Sequence, residues 1–261
     1  MAREIPLYQV DAFTSEVFGG NPAAICPLES WLDDSLMQSI ALENNLSETA
    51  FFVPDGEDFH LRWFTPVFEV DLCGHATLAA SYVIATYLEP GREKIGFRTR
   101  SGRLEVTRVG DLFTLDFPVL AREACDSPPL LREALGVEVL ACFDGMDMMA
   151  IVADEATVRG LSPDMSRLAA LETRGVIVTA EGVDCDFVSR FFAPKHGIPE
   201  DPVTGSAHCL LTPYWSERLG RKRMTARQVS ARGGELEVEL KGGRVLISGR
   251  AAPYMMGSIR V

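Results

Sequence analysis

The sequence predicts an α+β fold of two pseudo-symmetric halves, each a rolled, barrel-like sheet around a central buried helix. Three observations carry this. A stretch occurs twice: Arg62-Trp63-Phe64-Thr65-Pro66, then Asp71-Leu72-Cys73-Gly74-His75-Ala76 and an apolar run to Leu88; and Arg190-Phe191-Phe192-Ala193-Pro194, then Asp201-Pro202-Val203-Thr204-Gly205-Ser206-Ala207 and an apolar run to Leu219. A second echo, Gly102-Arg103-Leu104-Glu105-Val106 against Gly234-Glu235-Leu236-Glu237-Val238, follows at nearly the same offset, which marks an internal duplication. The segment Ala76 to Ala85 is apolar nearly all round, so it has to be wrapped by other structure.

The elements follow in chain order. Ile5 to Phe13 alternates like a strand, and Phe18-Gly19-Gly20-Asn21-Pro22 breaks it. Ala23 to Cys26 is a short buried strand. Asp33 to Glu43 has helical spacing and ends at Asn44-Asn45. Ala50 to Val53 and His60 to Phe64 are strands, and the buried helix then runs from Gly74 to Pro90-Gly91. Leu104–Val106 and Leu112–Phe117 form a hairpin. Pro118 to Pro129 reads as a linker, which places the halves at 1–117 and 118–261. In the second half, Leu130 to Leu135 is a helix and Ala150 to Ala153 a strand. Ser162 to Leu171 is a helix with Ser162 as N-cap and Pro163 in its first turn. Gly175 to Ala180 and Phe187 to Phe192 are strands. The second buried helix spans Gly205 to Leu219, with a kink expected at Pro213. Leu236–Leu240 and Arg244–Ser248 close the half, and the last strand, Met255 to Val261, is free to dock back on the first half.

Bulk properties narrow the function. The 261 residues are 47% apolar and 24% charged, as in a globular soluble chain. The net charge of −12 argues against nucleic acid or an anionic membrane as partner, though local donors can still hold a small anion. Six cysteines without a CxxC pair suit a reducing cytoplasm, and no signal peptide or membrane span is expected. His60, His196, His208 and Cys209 lack metal-ligand spacing, so no metal is expected. GxGxxG, GxxxxGK[ST] and GxSxG are all missing, which leaves nucleotide-binding and serine-hydrolase readings without support.

Candidate chemistry gathers at the two special loops. Gly74-His75 and Gly205-Ser206 each open a helix, whose unpaired amides and dipole suit a carboxylate or phosphate. Two halves facing each other would bring both termini to one cleft. His75, Asp201 and Glu48 are the titratable groups expected there, with Glu48 at the edge of an apolar strand and its pKa expected to be raised by desolvation.

Four motifs then carry a resemblance: Gly20-Asn21-Pro22-Ala23-Ala24, Asn45-Leu46-Ser47-Glu48-Thr49-Ala50-Phe51, Cys73-Gly74-His75-Ala76-Thr77-Leu78-Ala79, and Asp201-Pro202-Val203-Thr204-Gly205-Ser206-Ala207-His208-Cys209. In family order, they resemble the PhzF family of phenazine-biosynthesis-like isomerases, relatives of diaminopimelate epimerase. The resemblance runs from about Tyr8 to the C-terminus. It implies a cofactor-free, homodimeric isomerase that moves a proton on a dihydro-hydroxyanthranilate-like carboxylate. The family's catalytic glutamate falls on Glu48, and its histidine, aspartate and serine fall on His75, Asp201 and Ser206. The loops that carry Asn21, Cys73, Gly74, Thr204 and Gly205 would hold the substrate's carboxylate and polar groups. Cys73 also resembles the first thiol of the two-thiol racemases. The second half carries Asp201 at the matching loop and no cysteine there. An epimerase built on Cys73 and a non-catalytic anion-binding protein are the alternatives. Loops such as Phe13–Asn21 and Cys142–Met149 are expected to set specificity.

Overall fold

Residues 3–261 are described in the computed structural model of the chain, and they fall into two units whose strands pair in the same order. The N-terminal unit is Met1–Asp116 with Ser248–Val261, and the C-terminal unit is Phe117–Ile247.

In the N-terminal unit, β1 (Glu4–Ala12) pairs antiparallel with β2 (Asn21–Pro27), and β2 runs parallel to β3 (Glu48–Asp55). β3 is antiparallel to β4 (Asp58–Phe64), which also pairs with the short β5 (Glu69–Val70) and runs parallel to β6 (Lys94–Thr99). β7 (Gly102–Val109) and β8 (Leu112–Pro118) continue antiparallel. The final strand of the chain, β18 (Ala251–Arg260), lies antiparallel on β1. Helix α1 (Asp34–Asn44) covers one face and ends where Asn45 turns left-handed at φ 48°.

Helix α2 (Gly74–Val83) is the element the unit is built around. It buries His75, Ala76, Leu78, Ala79, Ala80 and Val83, together with Thr77 and Ser81. The two hydroxyls are buried at no cost because each bonds back one turn, Thr77 Oγ1 to the Cys73 carbonyl and Ser81 Oγ to that of Thr77. Each fully buried aliphatic side chain contributes about 2 kcal/mol. The helix then widens into one π turn over Ile84–Leu88.

The C-terminal unit repeats the pairings. β9 (Arg122–Cys125), β10 (Ala141–Gly145) and β11 (Met148–Ile151) are antiparallel neighbours. β11 runs parallel to β12 (Val176–Glu181), which is antiparallel to β13 (Phe187–Ala193). β13 pairs with β14 (Ile198–Asp201) and runs parallel to β15 (Arg223–Gln228), and β15 is antiparallel to β16 (Gly234–Lys241), with β17 (Arg244–Gly249) after the turn. Helices α3 (Pro129–Leu135), α4 (Glu155–Gly160) and α5 (Met165–Ala169) cover one face, and α6 (Gly205–Leu219) is the buried helix.

Three expectations need correction. The stretch read as a linker contains β9, which exists because it pairs with β10. The helix read over Ser162–Leu171 is the shorter α5. Its cap is Asp164, whose carboxylate accepts from the amides of both Ser166 and Arg167, where Ser162 offers only a neutral hydroxyl. The strand read at Ala150–Ala153 begins two residues earlier, at Met148. Helix α6 includes Pro213 within its span. The Cys209 carbonyl, left without its helical donor by Pro213, accepts from Leu120 N–H at 3.3 Å.

The repeated Arg-aromatic-Phe motif is structural in both units. Arg62 grips Glu69 through Nε and Nη2, both at 2.7 Å, and lies 5.1 Å from the Phe64 ring centre. Arg190 grips Glu200 at 2.7 and 2.9 Å and lies 4.9 Å from the ring of Phe192. No helix among the described residues is long and apolar enough to cross a membrane.

Candidate active site

The site of the N-terminal unit forms where β3 starts and α2 starts. Parallel pairing of β2 with β3 sets Glu48 opposite Ala23, two residues past Asn21. Asn21 is fully buried, and the turn before it requires glycine. Gly20 sits at φ 60°, and a Cβ there would lie 2.1 Å from the Ala12 carbonyl oxygen.

His75, the second residue of α2, lies between Glu48 and Cys73. Its Nε2 stands 3.1 Å from Glu48 Oε2, and its Nδ1 stands 3.5 Å from Cys73 Sγ. The Glu48 and His75 atoms meet as an ion pair, off the angles a hydrogen bond needs. Each is the partner that the other's buried polar atom meets. Burial works against a charge on His75, but Cys73 and Glu48, which face the ring from its two edges, outweigh burial and hold its pKa well above the usual histidine value. Burial, reinforced by the Glu48 charge, pushes the Cys73 thiol up to about 11. At neutral pH the thiol is therefore protonated, and Glu48 is the counter-charge of the imidazolium.

This arrangement presents a carboxylate and an imidazolium side by side, at a helix start whose N-cap residue, Cys73, makes no side-chain cap hydrogen bond. A carboxylate in this position can take a proton from carbon, while the imidazolium and the amides stabilise the negative charge that develops. The ligand atoms of Glu48, Cys73 and His75 also lie within 4.8 Å of one another, a donor set that fits zinc, provided the thiol and the imidazolium each give up a proton.

In the C-terminal unit, Asp201, Thr204, Gly205 and Ser206 lie together on the turn into α6. Asp201 Oδ2 accepts from Thr204 Oγ1. The fully buried Gln228 staples the turn: its Oε1 accepts from the Thr204 amide at 2.8 Å, and its Nε2 donates to the Asp201 carbonyl at 2.7 Å. Thr204 at the N-cap makes no side-chain cap bond to the first amides of α6. Ser206 Oγ accepts from Arg174 Nη2 at 2.8 Å, and Arg174 is held side-on by Asp147.

Sequence reasoning found the loop residues and missed Gln228, Arg174 and Asp147. The segment Cys142–Met149 was read as a specificity loop. It is largely the β10–β11 hairpin, and its distinctive group is the buried Asp147 carboxylate. A buried aspartate and an arginine 27 residues apart leave no local pattern. The one available signal was the isolated Arg174-Gly175 pair before an apolar strand.

Comparison with known proteins adds to this picture. The family model "Phenazine biosynthesis-like protein" matches residues 10–257. An uncharacterized isomerase of Pseudomonas aeruginosa is 52% identical over 258 residues, which is 99% of this chain and all of that one. A crystal structure of a phenazine biosynthesis protein of the PhzF family from Enterococcus faecalis is 48% identical, with a TM-score of 0.97 over 99% of this chain and 100% of that chain. At the level of fold alone, a hydroxyproline epimerase from Agrobacterium vitis matches with a TM-score of 0.65 at 13% identity, covering 99% of this chain and 93% of its own. The architecture is that of the diaminopimelate epimerase-like folds.

Proposed function

The chain belongs to the phenazine biosynthesis-like (PhzC-PhzF) family, and from that premise we propose that it is a cofactor-independent isomerase. It moves a proton on a small carboxylate-bearing substrate, of the dihydro-hydroxyanthranilate kind, by acid/base catalysis through Glu48. The observation that carries this is the Glu48–His75 ion pair at 3.1 Å, placed at the start of a buried helix. The Glu48 carboxylate removes a proton from one carbon, and the electron pair of the broken C–H bond shifts along the conjugated system. The protonated Glu48 then returns that proton at another carbon, so the reaction is redox-neutral and consumes no co-reactant. His75 supplies positive charge next to the carboxylate as the anion forms. The relative's name supports the reaction class, since it is called an isomerase.

The test is isotope exchange in deuterated water with dihydro-hydroxyanthranilate and a panel of small cyclic and amino carboxylates. Deuterium should enter at carbon with the wild-type protein and not with Glu48→Gln. Turnover by a folded Glu48→Gln protein would overturn the assignment.

The Cys73 contact favours a second reading, an epimerase that uses the thiol as base. His75 Nδ1 stands 3.5 Å from the sulfur, where the imidazolium would stabilise a thiolate. Activity that survives Cys73→Ala would dismiss it. A cytoplasmic homodimer is part of the proposal on resemblance alone, and light scattering of the purified protein tests the dimer.

A further inference from the structure

Cys125 and Cys142 belong to no sequence motif, yet the sheet sets them face to face. Cys125 is the last residue of β9, Cys142 is the second of β10, and the antiparallel register places them directly opposite each other. Residues opposed in such a pair project to the same face of the sheet. Both side chains accordingly pack on one apolar cluster, which also takes Leu131, Ala134 and Leu135 of α3. The next residue, Phe143, projects to the other face, where its ring centre lies 5.3 Å from that of Tyr214 in α6.

The spacing of the two cysteines suits a disulfide. Opposed residues of an antiparallel pair have Cα atoms about 4.5–5.5 Å apart, and a disulfide needs about 4.4–6.8 Å. Both thiols are free. Their surroundings differ in a way that assigns them different roles. Cys142 is buried, whereas Cys125 is partly open to solvent. Burial, reinforced by a hydrogen bond with the Cys125 side chain, pushes the Cys142 thiol up to about 12. Cys125 is therefore the sulfur that a small oxidant reaches, and Cys142 is the sulfur held in reserve beside it.

We propose that Cys125 and Cys142 are a peroxide-sensitive thiol pair, oxidised by hydrogen peroxide to a cross-strand disulfide that ties β9 to β10. The Cys125 thiolate first attacks one peroxide oxygen. An S–O bond forms, the O–O bond breaks, and the departing hydroxide becomes water with the proton that the thiol gave up. Cys125 is then a sulfenic acid. The Cys142 sulfur attacks the Cys125 sulfur, the S–S bond forms, the S–O bond breaks, and the departing hydroxide leaves as water with the Cys142 proton. One peroxide is reduced to two waters, and two thiols are oxidised to one disulfide. The new bond closes the stretch of chain that carries α3, which restricts the unfolded chain and stabilises the C-terminal unit. Thiol reductants reverse it. The inference draws nothing from the isomerase reading and stands or falls apart from it.

The whole chain, reduced and freed of reductant, is treated with a small excess of hydrogen peroxide, blocked with N-ethylmaleimide and digested with trypsin without reductant. Trypsin separates Cys125, in the peptide 123–132, from Cys142, in the peptide 133–159. Mass spectrometry should find these two peptides joined, two hydrogens lighter than their sum, and parted again by dithiothreitol. Cys125→Ser should abolish the joined species. Cys142→Ser should leave a sulfenic acid on Cys125 that dimedone captures. The oxidised wild-type chain should unfold at a higher urea concentration than the reduced one, and Cys125→Ser should show no such rise. The proposal is overturned if both cysteines emerge as maleimide-labelled thiols, if Cys125 is carried on to sulfinic acid without joining Cys142, or if it joins another cysteine more readily. A joined chain whose urea midpoint does not rise would overturn the stabilising role.

Discussion

Cys73 Sγ and His75 Nδ1 stand 3.5 Å apart, on the edge of the imidazole that does not face Glu48. The ring is therefore held between a thiol and a carboxylate. Burial pushes the thiol up to about 11, so the sulfur is neutral at neutral pH.

His75 should accordingly stay protonated far above the pH at which an exposed histidine loses its proton. Its folded pKa is raised, so the stability it contributes is complete below the ordinary histidine value and is lost as pH rises through the folded one. A ¹H–¹³C pH titration of the histidine Cε1 resonances checks this. Glu48→Gln should bring the His75 midpoint down. A His75 that titrates near the ordinary value in wild type would show that the ion pair does not form.

Cys73 should be a sluggish thiol. A neutral, buried sulfur is a poor nucleophile, since only the thiolate reacts. Iodoacetamide at neutral pH should label Cys125 and Cys185, which are partly exposed, well before Cys73. Mass spectrometry of the digested protein gives the order. Labelling of Cys73 first would mean that it is ionised, and would favour the thiol epimerase reading.

Sequence patterns are legible where the physics is local. The helices α2 and α6, their glycine starts, the β7–β8 hairpin and the end of α1 at Asn45 all follow from spacing and turn chemistry within a few residues. β9 was not legible because its residues are polar and half exposed, and only its partner β10 makes it a strand. α4 was missed although Asp154 caps it through Thr157 N–H at 2.7 Å, because six residues give too few turns for a periodic signal. The site divides the same way. Glu48, His75, Asp201 and Ser206 sit in contiguous motifs. Gln228, Asp147 and Arg174 act through contacts made only once the sheet has closed.

Arg62 and Arg190 test whether the repeated motif is structural. Each forms a two-pronged pair with a mostly buried carboxylate, with side-chain exposures of 12% and 12% for Arg62–Glu69 and 12% and 20% for Arg190–Glu200. Removing Arg190 leaves the Glu200 charge poorly solvated, so Arg190→Ala should destabilise its unit by about 3 kcal/mol, and Arg62→Ala by less, because Arg100 Nη2 still lies 2.7 Å from Glu69 Oε2. Urea unfolding measures this. A change near zero would mean that water replaces the arginine at little cost, and that the motif is maintained for another reason.

Gly20→Ala should be among the most damaging single substitutions. The residue sits at φ 60°, and the new methyl would lie 2.1 Å from the Ala12 carbonyl, so both strain and collision oppose it. A loss of about 3 kcal/mol or more is expected, read as a lower Tm. Because Asn21 follows directly, the variant should also disturb the start of β2. Wild-type stability in Gly20→Ala would show that this turn relaxes freely.

His208 supplies the acid limit of stability. It is fully buried in α6, with Nδ1 2.8 Å from the Thr204 carbonyl, and that contact fixes the proton on Nδ1 in the neutral ring. Its Nε2 is buried without a partner, and burial lowers the pKa to about 4. The unfolded chain takes up this proton near the ordinary value of about 6.5, and the folded chain resists until about 4. Stability should therefore be intact above the unfolded pKa and fall steadily as pH drops from there toward 4, by about 3 kcal/mol in all. His208→Gln retains a polar group near Thr204 and has no proton to gain. It should cost some stability at neutral pH and flatten the acid slope, so the two proteins' denaturant midpoints converge as pH falls. Parallel curves for the two proteins would mean that other groups, and not His208, set the acid limit.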